Sequence, residues 1–256
     1  MATMPKAIGL CLSGGAARGA FHLGVLRALE ALGIRVEAIS GSSIGAVVGA
    51  GYACGNTPSA MLALFKSKAF RQSIGWNIWG GSVWKINTAH PVFEHLLGRH
   101  ERLETLPLPL HVSLCNLQKG EVVYASTGDL RQVLEASCAL APFFPFRAIE
   151  GVWYGDGGFV DNLPLAPLKK SGLPLLAVNL HPHLPHENRG NLLFRALLSL
   201  WHATVRTQAQ EATWYLSAPE LSRFSLFSFS SIDTLEQMGY RTCLETFDVF
   251  ARSDAV

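Results

Sequence analysis

Two strand–turn–helix units stand back to back in the first 53 residues, and each turns on a run of small side chains. In the first, Ala7-Ile8-Gly9-Leu10-Cys11-Leu12 is a strand-sized run apolar on both faces, ended by Ser13-Gly14-Gly15. Phe21, Val25, Leu29 and Leu32 then recur at helical spacing, and Gly33 supplies a stop. In the second, Val36 to Ser40 reads as a strand, Gly41 to Gly45 as a turn and Ala46 to Ala53 as a helix. Gly45, Gly49 and Ala53 fall four apart on one face, which lets that helix approach a sheet closely. A strand apolar on both faces belongs between two helical layers, and consecutive strand–helix units demand a mostly parallel sheet. The pattern predicts an α/β fold, three-layer α/β/α around a mostly parallel central sheet. Its binding crevice is expected at the C-terminal ends of the strands.

Further along, Leu110 to Leu117 and Leu173 to Leu180 read as buried strands, with Glu121 to Tyr124 a hairpin partner or neighbour of the first. Leu130 to Leu140 reads as a helix stopped by Pro142, and Val152-Trp153-Tyr154 as a strand entering a glycine-rich turn. Leu192 to Leu216 is expected as one long helix with Leu193, Leu197, Leu200 and Thr204 on one face. Leu226 to Phe229 is expected as a last strand and Ile232 to Phe250 as a closing helix. Residues 56–105 break the rhythm, since Phe65, Phe70, Trp76, Trp79 and Trp84 put five large aromatics into 20 residues. This stretch reads as helices and loops laid over the crevice. Either it packs as ordinary core or it forms a lid that contacts lipid, with Trp76 and Trp79 the candidate contacts. No internal repeat or long linker divides the chain, so residues 1–256 read as a single domain carrying that insertion.

Charged residues make up 16% of the chain and its net charge is +2, which argues against a strongly electrostatic nucleic-acid partner. Met1 to Lys6 leaves no room for a secretory leader, and no apolar run reaches the roughly 18 residues that span a bilayer. The expectation is a cytoplasmic protein, with peripheral contact at the inner membrane surface left open and no oligomeric state assigned. Cys11, Cys54, Cys115, Cys138 and Cys243 are odd in number, dispersed and set among apolar residues, so they read as free buried thiols.

Gly41-Ser42-Ser43-Ile44-Gly45 has the form G-x-S-x-G between a strand and a helix. A sharp turn there exposes a serine oxygen above the sheet, and the flanking glycines permit strained dihedrals. Ser43 is therefore the candidate nucleophile. An attacked carbonyl develops negative charge on its oxygen, which fixed backbone N–H groups stabilise. Ser13-Gly14-Gly15-Ala16-Ala17-Arg18-Gly19 suits that task, because small side chains leave the amides uncovered at a helix start. A nucleotide phosphate is the weaker occupant, since neither G-x-G-x-x-G nor a P-loop Lys-Ser/Thr pair is present. Arg18 either holds the glycine turn or meets an anionic headgroup. Asp156, followed by Gly157 and Gly158 at the end of a strand, is the candidate base. Asp161 reads as a turn or capping carboxylate. His181, His183 and His186 are separated by prolines and give neither a metal site nor an obvious triad member. No cofactor or metal is expected.

Four segments in this order resemble the patatin-like phospholipase family. They are Ser13-Gly14-Gly15-Ala16-Ala17-Arg18-Gly19, Gly41-Ser42-Ser43-Ile44-Gly45, Ala136-Ser137-Cys138-Ala139 with Pro142 and Phe144-Pro145, and Asp156-Gly157-Gly158 running into Asp161-Asn162-Leu163-Pro164. The similarity covers roughly Ala7 to Leu180. The resemblance implies a serine–aspartate dyad without histidine, Ser43 as nucleophile and Asp156 as base, on a three-layer fold. It places the oxyanion hole on the amides of Gly14, Gly15 and Ala16. It further implies a carboxylic-ester hydrolase acting on phospholipid or lysophospholipid. A thioesterase or small-ester hydrolase on the same dyad, and a lipid-binding scaffold without activity, are the rivals. Ala16 stands where the family usually has a third glycine, and Gly158 where Asp-Gly-Ala is common; neither change removes a reacting group.

Overall fold

In the computed structural model, which describes residues 4–76, 82–182, 192–226 and 229–253, both opening units fold as their patterns dictate. β1 (Ala7–Leu12) leads through a 3₁₀ turn at Ala16–Gly19 into α1 (Ala20–Ala31). β2 (Arg35–Ser42) and α2 (Ile44–Ala53) form the second unit. Its turn is tighter than the sequence pattern predicts, because β2 keeps pairing through Ser42 and leaves Ser43 alone between strand and helix. α3 (Pro58–Lys66), α4 (Lys68–Ser73), β3 (Ile74–Trp76), β4 (Trp84–Ile86) and α5 (Pro91–Leu97) make up the aromatic segment. β3 and β4 pair antiparallel, so a hairpin joins the helices and loops expected there.

Next come β5 (Leu110–Asn116), β6 (Glu121–Ala125), α6 (Leu130–Ser137), β7 (Arg147–Ile149), β8 (Val152–Asp156) and β9 (Leu175–Val178). α7 (Leu192–Glu211), β10 (Trp214–Leu216) and α8 (Ile232–Ser253) complete the order. Eight strands make the main sheet, in the order β10-β9-β1-β2-β5-β8-β7 with β6 also on β5. The five strands from β10 to β5 run parallel; β6 and β8 run against β5, and β7 against β8.

Alternation along β1 feeds both layers, as a two-residue period requires. Ile8, Leu10 and Leu12 join the large core under α1, α2 and α8, while Cys11 joins Leu163, Leu168 and Val205 on the opposite face. α8 is held on α1 by the Arg27–Glu236 ion pair at 2.5 Å, with the guanidinium stacked 3.7 Å over the Tyr240 ring. This is the mostly parallel sheet between helical layers that the sequence predicts.

Two expected elements differ. The long helix stops at Glu211, and Trp214–Leu216 is an edge strand on β9. Trp214 and Leu216 are buried while Tyr215 is exposed, a period of two that a helix cannot satisfy. Leu226 lies in a turn rather than a strand, and its carbonyl accepts from the Ala17 N–H at 2.8 Å. Trp79, His183 and His186 lie outside the described residues, as do the side chains of Trp76, Leu193, Leu197 and Leu200. Among the described residues no helix is long and apolar enough to cross a membrane.

Candidate active site

One strand brings the two candidate reacting groups together. β6 occupies one edge of β5 along Val112–Asn116, so β2 and β8 must share the other edge. On that edge Ser42 of β2 pairs with Ser113, and Asp156 of β8 pairs with Leu114. β2 runs parallel to β5 and β8 antiparallel, so their C-terminal ends meet head-on. The sequence predicted an aspartate at a strand end. That the strand is reversed, and points its end at the Ser43 turn, is a property of the sheet.

Ser43 takes φ 52° and ψ −124°, outside both helical and extended regions. Such a conformation costs about 1–3 kcal/mol and persists only where its surroundings fix it. Its N–H donates to the Ser137 hydroxyl at 2.9 Å, and its carbonyl accepts from Ala46 and Val47 to begin α2. A Cβ at Gly45 would sit 2.3 Å from the Leu12 carbonyl oxygen, and one at Gly41 2.6 Å from the Ala46 nitrogen. Both glycines of the motif therefore answer to contact with backbone. The N-terminus of α2 adds a favourable dipole at the serine oxygen.

Asp156 is buried, 2% exposed, and its Oδ1 accepts the Gly158 N–H at 2.8 Å. Burial pushes its carboxyl up to about 7, against the opposing pull of the Gly158 amide and the Ser43 hydroxyl. A carboxylate near neutrality is a far better proton acceptor for an alcohol than one near its ordinary value. Asp161 does something else. Its Oδ1 accepts from Leu163 N–H at 3.1 Å and its Oδ2 from Tyr124 hydroxyl at 2.6 Å, the role of a turn-fixing carboxylate.

The glycine turn divides its amides between scaffold and site. Gly14 N–H donates to the Asn162 carbonyl at 3.3 Å and Ala17 N–H to Leu226, while Arg18 N–H closes the turn on Gly15. Gly15 and Ala16 stand at the start of this turn, where the first N–H groups have no partner within it. Both line the same cavity as Ser43. Ala16 has φ 48°, a left-handed conformation that glycine adopts without a Cβ penalty. Arg18 is buried and holds the turn: Nε and Nη2 donate to Phe224 carbonyl at 3.0 and 2.7 Å, and Nη1 to Leu180 carbonyl at 3.1 Å. His22 Nε2 donates to the Ser13 carbonyl at 2.9 Å, and burial lowers its pKa to about 4, so it supports the turn as a neutral ring. His181 packs against Trp201 with the rings tilted and their centroids 4.3 Å apart, and burial beside the Arg18 cation keeps it uncharged.

A cavity of about 280 Å³ opens on Ser43 and Asp156. Its walls are mostly apolar, and the aromatic segment contributes Phe70, Ile74, Trp84, Ile86 and Phe93 to them. Phe70 and Phe93 are at the same time buried in the main core. Core packing and a cover over the crevice are thus one arrangement. Four lining or supporting residues escaped the sequence reading. Ser137 carried no chemical signal beyond its place in the third matched segment. Asn162 is 1% exposed with both carboxamide atoms unpartnered, and Trp201 Nε1 is likewise buried and unpartnered among the described residues. Arg71 lines the cavity from α4.

The family model described as patatin-like phospholipase matches residues 10–169 of this chain. Lysophospholipase NTE1 of Coccidioides immitis is 27% identical over 95% of this chain, and lysophospholipase nte1 of Emericella nidulans 32% identical over 67% of it. The chain spans only 18% and 12% of the lengths of those relatives. Among solved structures, VipD from Legionella pneumophila superimposes with TM-score 0.55 at 16% identity, covering 96% of this chain and 68% of that one, a likeness of fold. A match over residues 10–169, with the fold it requires, places this chain in the patatin-like phospholipase family.

Proposed function

We propose that the chain hydrolyses lipid acyl esters, lysophospholipids foremost, with Ser43 as nucleophile and Asp156 as the only base. The observation that carries this reading is a buried carboxylate, its pKa raised to about 7, at the end of the strand that meets the Ser43 turn head-on. Asp156 accepts the hydroxyl proton as Ser43 Oγ bonds to the ester carbonyl carbon. The oxyanion that forms is held by the Gly15 and Ala16 amides, with Gly14 bracing the turn from Asn162. As the tetrahedral intermediate collapses, the ester C–O bond breaks and the leaving alcohol takes the proton from Asp156. Water then repeats the sequence on the acyl-enzyme, releasing the fatty acid and restoring Ser43. The apolar cavity suits an acyl chain, and the relatives' names support a lysophospholipid as the source.

The test is hydrolysis of a lysophospholipid and of a short-chain p-nitrophenyl ester by wild type, Ser43→Ala and Asp156→Asn. Both variants should retain the wild-type circular dichroism spectrum and lose at least a thousandfold in kcat, on the scale of removing a nucleophile or its base. Activity retained by pure Ser43→Ala protein refutes the assignment.

A further inference from the structure

The sequence offered Arg18 as a partner for an anionic headgroup, but its guanidinium is spent on the carbonyls of Leu180 and Phe224. The cation that lines the cavity is Arg71. It is exposed on α4, and Lys68, also exposed, stands three residues earlier on the same helical face. Neither side chain takes part in an ion pair among the described residues, whereas neighbouring Lys66 is held by Asp233 at 2.7 Å. The surrounding sequence gives them no partner either: from Ala38 to Phe93 there is no Asp or Glu, while Lys66, Lys68, Arg71 and Lys85 are present. Two like charges a turn apart destabilise a helix. Here they lie beside a cavity whose walls are mostly apolar and where, among the described residues, Asp156 is the other charged lining group.

From this placement we propose that Arg71, aided by the field of Lys68, forms an anion subsite of the same cavity and binds the phosphate of the substrate. The inference rests on the acyl-ester reading above and deepens it. A guanidinium presents a planar fork of donors that matches two phosphate oxygens, which a neutral glyceride cannot offer. With the acyl chain against Phe70, Ile74 and Trp84 and the ester at Ser43, such a subsite favours esters that carry a phosphate over those that do not.

The test compares wild type, Arg71→Gln and Arg71→Lys on a short-chain lysophosphatidylcholine, the monoacylglycerol of the same chain, and the matching acyl-CoA, all presented as monomers. Monomers remove any contribution from a charged membrane surface. Arg71→Gln should lose about tenfold in kcat/KM on the lysophospholipid, the scale of one charge-assisted contact, and change little on monoacylglycerol. Arg71→Lys should retain more than the glutamine variant. A loss on acyl-CoA alone keeps the phosphate subsite and moves its source to the nucleotide. Equal losses on all three substrates, or none on any, overturn the proposal. A second readout is independent of turnover: titration of wild type and Arg71→Gln with decylphosphocholine and with the matching decyl glyceryl ether. The subsite requires a preference for the phosphocholine that Arg71→Gln abolishes. If wild type hydrolyses none of the esters, the hydrolase reading has failed while this preference still decides the subsite; no preference in wild type refutes it.

Discussion

The backbone N–H of Ser43 donates to the Ser137 hydroxyl at 2.9 Å, and that hydroxyl donates onward to the Ser113 carbonyl at 2.9 Å. The last residue of α6 thereby ties the strained turn to β5, the strand on whose edge β2 and β8 meet. Ser137→Ala removes the acceptor and leaves a partly buried N–H unpaired, at a cost of about 1 kcal/mol or more. Urea denaturation should show that loss. Steady-state kinetics should show a lower kcat with KM nearly unchanged, because the turn and not the cavity wall is disturbed. Wild-type kcat in this variant would mean that the turn is held by other contacts.

Asp156 couples activity and stability to pH in opposite senses. As the base it must be ionised, so kcat/KM should rise with pH and reach half its plateau near 7, where burial has moved its pKa. Its folded pKa lies above the ordinary 3.8, so the folded chain holds a proton that the unfolded chain releases. The stability this gives is present below 3.8 and is lost as pH rises to about 7. Asp156→Asn should therefore be inactive yet more stable than wild type in alkali. Its stability advantage should grow by roughly 2–3 kcal/mol between pH 5 and pH 8. An advantage independent of pH, measured by urea titration at both values, would contradict a raised pKa.

Ala16 occupies φ 48°, which an L-residue with a side chain adopts at a cost of about 1–2 kcal/mol. Ala16→Gly relieves that strain but adds freedom to the unfolded chain, which returns roughly 0.4–1 kcal/mol. The net expectation is a thermal midpoint equal to or above wild type with activity retained. A marked fall in either would show that the alanine methyl makes a contact worth more than the strain.

Gly158 is hemmed in by polar atoms. A Cβ there would lie 2.9 Å from Asn162 Oδ1, 2.9 Å from Trp201 Nε1 and 3.0 Å from Asp156 Oδ1. Gly158→Ala should displace the Asp156 carboxylate relative to Ser43 and lower kcat about tenfold or more, as small misplacements of reacting groups do. Adding Trp201→Leu makes room and should recover part of the loss, a non-additive pair in a double-mutant cycle. Simple additivity would show that the methyl acts elsewhere.

The opening sheet, the turn that carries Ser43 and the strand end that carries Asp156 were legible because each depends on local pattern: apolar runs, glycine-bracketed turns and a carboxylate at a strand end. Trp214–Leu216 was hidden because an apolar stretch at helical spacing ran straight into its two-residue alternation. What decided it was an unpaired edge on β9, with Leu175 N–H reaching Thr213 Oγ1 at 2.9 Å. Leu226 looked like a strand residue, yet its carbonyl is used by Ala17 of the glycine turn, a partner more than two hundred residues away. Ser137 and Arg71 gave no local signal for the same reason. Their roles come from what α6 and α4 are packed against.

The central claim is that Ser43 is activated by Asp156 alone. It is tested most directly by the rate and site of labelling with a fluorophosphonate, read by peptide mass spectrometry. The account predicts a single adduct on Ser43 in wild type and at least a hundredfold slower labelling in Asp156→Asn, on the scale of losing a general base. An adduct on another residue, or wild-type labelling of Ser43 in Asp156→Asn, would contradict it.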